Sequence, residues 1–114
     1  MLKYSLPAIG SVSGELMILH RPKQNMFLAR LAPGRYAFVG YEIREGKLYI
    51  TKAYTPPEFR GRGIATRLTE HVVRWAEEGE LKIVPVCSFA VAYFKKHKEL
   101  RHLLDEEGLK AIES

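Results

Sequence analysis

KLYITKAYTPPEFRGRGIATRLTEHVVRWAEE, residues 47–78, decides how this chain reads. Lys47 to Thr55 alternates and is rich in aromatic and β-branched residues, which predicts a strand. Pro56-Pro57 stops it, because proline has no N–H to give to a ladder. Beyond a glycine-containing loop, Ile64, Ala65, Leu68, Val72, Trp75 and Ala76 recur at spacings of three and four and build one apolar helix face. Arg67, Glu70, Arg74, Glu77 and Glu78 hold the other face, and Gly79 follows as the C-cap. Between strand and helix lies Arg60-Gly61-Arg62-Gly63-Ile64-Ala65. A helix N-terminus has N–H groups without intrahelical acceptors, and its dipole makes that end positive. Two glycines let a phosphate approach the backbone, and Arg60 and Arg62 add charge in a fork geometry. Together these predict a pyrophosphate cradle. The spacing is neither the dinucleotide G-x-G-x-x-G nor a P-loop. The bland alternative is a basic loop that needs glycine for its turn. The succession of strand, Pro-Pro break, Arg-Gly-x-Gly and amphipathic helix favours the cradle.

Upstream, Met26 to Leu31 reads as a strand, Ala32-Pro33-Gly34-Arg35 as a turn, and Tyr36 to Arg44 as a second strand. Glu45-Gly46 then predicts a tight hairpin into Lys47–Thr55, with Gly46 at positive φ. Residues 1–24 form an N-terminal arm punctuated by Pro7, Gly10 and Gly14. An irregular arm, an edge strand and partial disorder are all open for it. Downstream, Leu81 to Val86 reads as a buried strand. Ser88 is expected to cap a helix from Phe89 to about His97. A last helical segment runs from about Glu99 to Glu106, broken by Gly108. One helix between Lys47–Thr55 and Leu81–Val86 implies a parallel pair with a right-handed crossover. The expected class is therefore α/β (α+β), a mixed sheet that is antiparallel first and parallel at its end, in one domain over residues 25–114.

Composition bounds the possibilities. A length of 114 residues, 46% hydrophobic and 27% charged, is one globular domain. No apolar run approaches the ~20 residues of a membrane span, and no apolar segment after Lys3 has the length of a secretory signal. The single cysteine, Cys87, excludes an internal disulfide and fits a reducing, cytoplasmic setting. The net charge of +5 suits a nucleic acid or an anionic small molecule equally. No histidine pair has metal-ligand spacing backed by a carboxylate, so no metal is expected.

Arg60 to Ala65 matches the Arg/Gln-x-x-Gly-x-Gly/Ala fingerprint, and here the chain resembles the GNAT N-acetyltransferase superfamily. Pro56-Pro57-Glu58-Phe59-Arg60-Gly61-Arg62-Gly63, then Pro85-Val86-Cys87-Ser88-Phe89, Tyr93 and Lys95-Lys96-His97, is similar to its small, single-domain branch. The resemblance implies acetyl-coenzyme A as donor and a primary amine as acceptor. It implies that the strands at Lys47–Thr55 and Leu81–Val86 splay apart, and that the pantetheine arm pairs with the backbone of Ala53, Tyr54 and Thr55. A backbone N–H there would stabilise the thioester oxyanion. The pyrophosphate would rest on the N–H groups of Arg62, Gly63, Ile64 and Ala65, beside Arg60 and Gly61.

Two departures stand out. The small branch carries a His and a Glu on the fourth strand, where this chain has Lys52 and Tyr54. The proton that an attacking amine must lose then falls to Tyr54, Glu42 or a water chain. Many superfamily members place a tyrosine on the last cofactor-contacting helix to protonate the leaving thiolate. Phe94 occupies that place here, and Tyr93 sits one residue early, about 100° around the helix. Tyr93 is thus a candidate thiolate acid, with a packed interfacial aromatic as the alternative. Cys87 is a candidate to accept the acetyl group or to line the cofactor tunnel, with a buried inert thiol as the alternative.

The leading expectation is an N-acetyltransferase acting on a lysine or N-terminal amine of a protein or peptide. Leu31 to Tyr36 leaves room only for a turn where the superfamily has helices, which predicts an open, shallow acceptor groove. A second expectation is a coenzyme A-binding regulatory module without appreciable turnover. A nucleic-acid-binding domain ranks third, since the aromatics fall mostly at core-compatible strand positions.

Overall fold

The computed structural model describes residues 16–113. Five strands form one sheet in sequence order: β1 (Ile18–Arg21), β2 (Met26–Ala32), β3 (Arg35–Arg44), β4 (Lys47–Tyr54) and β5 (Lys82–Pro85). The first three pairings are antiparallel, and β4 with β5 is parallel. Helix α1 (Ile64–Glu78) makes the crossover, followed after β5 by α2 (Ser88–Lys96), a 3-10 turn over Lys98–Leu103 and α3 (Glu106–Glu113). The expected mixed α/β sheet, antiparallel then parallel, is what forms.

The β3–β4 hairpin closes through Glu45 and Gly46 at φ 50° and 79°. Both central residues are left-handed, the type I′ geometry that matches strand twist. Leu48 and Ile50 of β4 share one sheet face with Ala37, Val39 and Tyr41 of β3 and Phe27 and Ala29 of β2. The apolar stripe of α1, including Leu68, Val72 and Ala76, packs on that face and completes the core.

Ile18–Arg21 takes the edge-strand form that was open to the arm. Residues 1–15 of the arm lie outside the described residues. An aromatic cluster holds this edge. His20 stacks on Phe27 at 4.0 Å between centroids and meets Trp75 of α1 edge-on at 4.5 Å. Its Nε2 is 2.6 Å from the Tyr41 hydroxyl. Burial pushes the His20 imidazole below its usual 6.5, so the neutral ring is favoured.

Gly79 is the C-cap of α1 as expected, at φ −90°, with the left-handed Glu80 behind it at φ 59°, and three other local expectations are corrected. Leu81 N–H donates to Ala76 O at 2.8 Å and Glu80 N–H to Glu77 O at 3.0 Å, the Schellman pattern with Glu80 in glycine's usual place. The strand Leu81–Val86 is shorter, Lys82–Pro85, and Val86 is exposed. Ser88 is the first residue of α2, not its cap. Cys87 takes the cap position, and its carbonyl accepts from Val91 N–H at 3.0 Å. Gly108 breaks nothing. It lies inside α3, where a Cβ would stand 2.5 Å from Ile83 O, so only glycine lets the helix press against β5. Asp105 Oδ1 accepts from Gly108 N–H at 2.9 Å and starts this helix.

Candidate functional site

The site begins with a defect in β4. Gly40 of β3 faces Lys52 and Tyr41 faces Ile50, so Thr51 is an extra residue in the ladder. Such a bulge bends its strand. β4 pairs with β5 only from Lys47 to Ile50. At the fork, Val86 and Cys87 N–H both donate to Ile50 O, at 3.0 and 3.1 Å. Beyond it, β4 keeps its bonds to β3 but has no β5 residue opposite. Thr51 to Tyr54 therefore presents a free backbone edge, and an unpaired edge is a template for an extended chain.

The loop after β4 bends through a 3-10 turn over Pro57–Phe59 into α1. Gly61 and Gly63 have φ of 80° and 78°, with nothing within 4 Å of where a Cβ would be. Here glycine does two jobs: it adopts the left-handed backbone and leaves the space over it open. Gly63 caps α1, and Arg67 N–H makes the first helical bond, to Gly63 O at 3.1 Å. The N–H groups of Ile64, Ala65 and Thr66 precede it and have no helical acceptor. No acidic side chain occupies the first turn, so this end keeps its positive character.

A cleft of about 410 Å³ joins the free edge to the helix start. Ala53, Tyr54 and Thr55 line it from β4, Arg60, Gly61, Gly63, Ile64 and Ala65 from the cradle, and Phe59, Thr66 and Phe89 complete it. Eight of the expected residues thus come together. Arg62, Cys87 and Tyr93 are outside the lining. Arg62 lies over the Phe59 ring at 5.2 Å and donates to Glu58 O at 3.3 Å, bracing the loop. Arg60 donates through Nε to Thr55 O at 2.8 Å, which leaves its Nη groups for another acceptor. An Arg35–Glu58 ion pair ties the same loop to β3.

Cys87 is half-buried at the fork, the closed end of the V. Tyr93 is buried, stacked on His97 at 4.3 Å and edge-on to Phe94 at 5.2 Å. Burial pushes its phenol above the usual 10.0, so it keeps its proton at neutral pH. Phe94 is fully buried and belongs to the core. Glu42 is exposed beside Arg44, on a different wall from the cleft. Tyr54 is the candidate catalytic side chain that reaches the cleft, 43% exposed and 5.8 Å from the Phe38 ring. Phe59, Thr66 and Phe89 were missed in the sequence. Thr66 had a signal, its place in the first helical turn. Phe89 stood in the Pro85-Val86-Cys87-Ser88-Phe89 motif, but its place on the cleft wall depends on how an element beyond the fork folds back.

Among the described residues no helix is long and apolar enough to cross a membrane, and no three His, Cys, Asp or Glu side chains group as metal ligands. A family model described as GCN5-related N-acetyl-transferase matches residues 26–103, from the start of β2 to the end of the 3-10 turn after α2. No curated protein matches the chain.

Proposed function

The chain belongs to the GCN5-related N-acetyltransferase family, and from that premise we propose that it moves the acetyl group of acetyl-coenzyme A to a primary amine, a lysine or N-terminus of a protein or peptide. The observation that carries the reading is the bulge at Thr51, which frees one edge of β4 beside a helix start that glycines keep open. The parts fit the cofactor's chemistry: an amide-bearing arm suits a strand edge, and a pyrophosphate suits the N–H groups at the start of α1. Ala53, Tyr54 and Thr55 would hold the arm, and Gly61, Gly63, Ile64, Ala65 and the Arg60 guanidinium the phosphates. Bound there, the cofactor supplies a thioester, an acyl group already activated for attack.

This chain's residues do the rest. A free N–H of β4 donates to the oxygen that becomes negative as the amine adds. Phe59 and Phe89 exclude water from the cleft walls. Tyr54 is the group in the lining placed to relay the proton of the attacking amine, its oxygen accepting that proton as its own O–H proton passes to water. Cys87 at the fork and Tyr93 in the packed interior stand off the cleft lining and carry no step of this reading. The cytoplasm, where thiols stay reduced, suits Cys87.

A second reading, cofactor binding without appreciable turnover, draws support from the lining itself, which holds no carboxylate and no imidazole. Calorimetry with acetyl-coenzyme A followed by thiol release over an amine panel separates the two. Binding with release supports transfer, and binding without release supports the second reading. Gly63→Glu, which puts a side chain and a negative charge where the phosphates would lie, weakens binding by at least about 100-fold (~2.7 kcal/mol). Unchanged binding in that variant removes the cradle.

A further inference from the structure

The sheet face opposite α1 carries an ordered pattern that meets the cleft only at its last member. Leu19 of β1 faces Leu28 of β2, Leu28 faces Phe38 of β3, and Phe38 faces Tyr54 of β4. These four side chains form one apolar row across four strands. Leu19 is 39% and Tyr54 43% exposed, and Leu28 and Phe38 are half-buried. At about 4.8 Å between strands the row is ~14 Å long, the reach of four to five extended residues. Its last member, Tyr54, also lines the cleft.

Cations flank the row. Arg30 lies in the neighbouring row on one side, opposite Tyr36. On the other side Arg21, Met26, Gly40 and Lys52 form the next row. Gly40 leaves room for the Lys52 stem, whose Cγ is 3.0 Å from where a Gly40 Cβ would be. A hollow of about 180 Å³ there, lined in part by Met26, Phe38, Gly40 and Lys52, is large enough for one side chain. Arg21, Arg30 and Lys52 are exposed, and among the described residues none of the three has an ion-pair partner. An apolar centre with a polar, mainly cationic rim is the anatomy of a recognition surface.

Resting on the transferase reading, we propose that this row is the acceptor-docking surface, and that the acceptor is an extended peptide with apolar side chains and acidic neighbours within about four residues of the amine. The apolar side chains lie along Leu19, Leu28 and Phe38, the carboxylates meet Arg21, Arg30 and Lys52, and the amine arrives at Tyr54. Two aliphatic leucines in the row suit peptide side chains better than stacked bases, and Glu42, which also lines the hollow, leaves Arg21 and Arg30 as the cations without an acidic neighbour there.

Fluorescence anisotropy tests this with three labelled lysine peptides: one with leucine, phenylalanine and glutamate around the lysine, one with arginine replacing glutamate, and one with serine replacing the apolar residues. The acidic apolar peptide binds about tenfold more tightly than the arginine peptide at low salt, and Arg30→Glu combined with Lys52→Glu reverses that order. Phe38→Ser and Leu28→Ser each weaken the acidic apolar peptide, bringing it toward the serine peptide. Acetyl-coenzyme A binding, measured on every variant, reports its fold, and Lys52→Gln serves if the double variant fails that control. Equal affinity for all peptides, or an order that charge reversal leaves alone, overturns the proposal. So does displacement by a single-stranded oligonucleotide with higher affinity, or a dimer that Phe38→Ser dissociates. Peptide discrimination in a protein that fails to bind acetyl-coenzyme A overturns the transferase reading and leaves this surface standing.

Discussion

Lys47–Ile50 and Thr51–Tyr54 are consecutive halves of β4, and the chain treats them in opposite ways. The first half is closed on both edges, by β3 and by β5. Its Leu48 and Ile50 are fully buried. Lys47 Nζ reaches Asp105 at 2.8 Å and Glu107 at 3.2 Å, and the Tyr49 hydroxyl donates to Glu107 at 3.0 Å, which ties the strand to the start of α3. The second half begins at the bulge, loses β5, and faces a cleft. One residue, Thr51, separates a half that holds the fold from a half whose edge lies open, because β4 bulges just where its pairing with β5 ends.

Breaking the closed half has the largest effect. Leu48→Ala costs about 3 kcal/mol of stability by leaving a cavity under α1, measured as a shift in denaturant midpoint. The comparison predicts that acetyl-coenzyme A affinity per folded molecule hardly changes. A smaller effect comes from the ion cluster. Burial alone pushes the Asp105 carboxyl up, but the hydrogen bonds from Lys47 and Gly108 N–H outweigh it and hold the group below its usual 3.8. A lowered folded pKa gives stability that is present above 3.8 and is lost as the pH falls through the lowered value. Asp105→Asn therefore reduces stability at neutral pH and flattens the acid limb of the stability curve below about pH 4. An unchanged limb means that the cluster does not hold the closed half. The smallest effect lies outside both halves and calibrates them: Glu80→Gly relieves the left-handed backbone at the end of α1 and raises stability by about 1 kcal/mol, with binding unchanged.

The sequence showed the parts that depend on local chemistry. The I′ hairpin at Glu45-Gly46, the Pro-Pro stop, the face of α1 and the glycine cradle all follow from residues within a few positions of one another. What it hid depends on contacts between distant segments. Thr51 carries no mark of a bulge, since an ordinary β-branched residue fills the extra place. Gly108 reads as a helix breaker until Ile83 O is seen beside it, a neighbour 25 residues away in the chain. The strand Ile18–Arg21 is too short to be told from a helical turn by periodicity, and His20 reveals its worth only when Phe27, Tyr41 and Trp75 surround it. The cradle side of the site was legible in the same way. The remaining candidates, Cys87 and Tyr93, were placed by pattern, and they stand at the fork and in the packed interior rather than on the cleft wall.

Amide hydrogen exchange along β4, residue by residue, with and without acetyl-coenzyme A, shows whether the opened half of the strand holds the cofactor. In the free protein, Leu48 and Ile50 exchange slowly, while the outward N–H groups among Ala53, Tyr54 and Thr55 exchange fast. Saturating cofactor slows at least one of those three and the amides of Ile64, Ala65 and Thr66, and leaves Leu48 and Ile50 unchanged. If the cofactor binds and these amides keep their rates, the opened half of β4 and the start of α1 are not where it lies, and the account of the site is wrong.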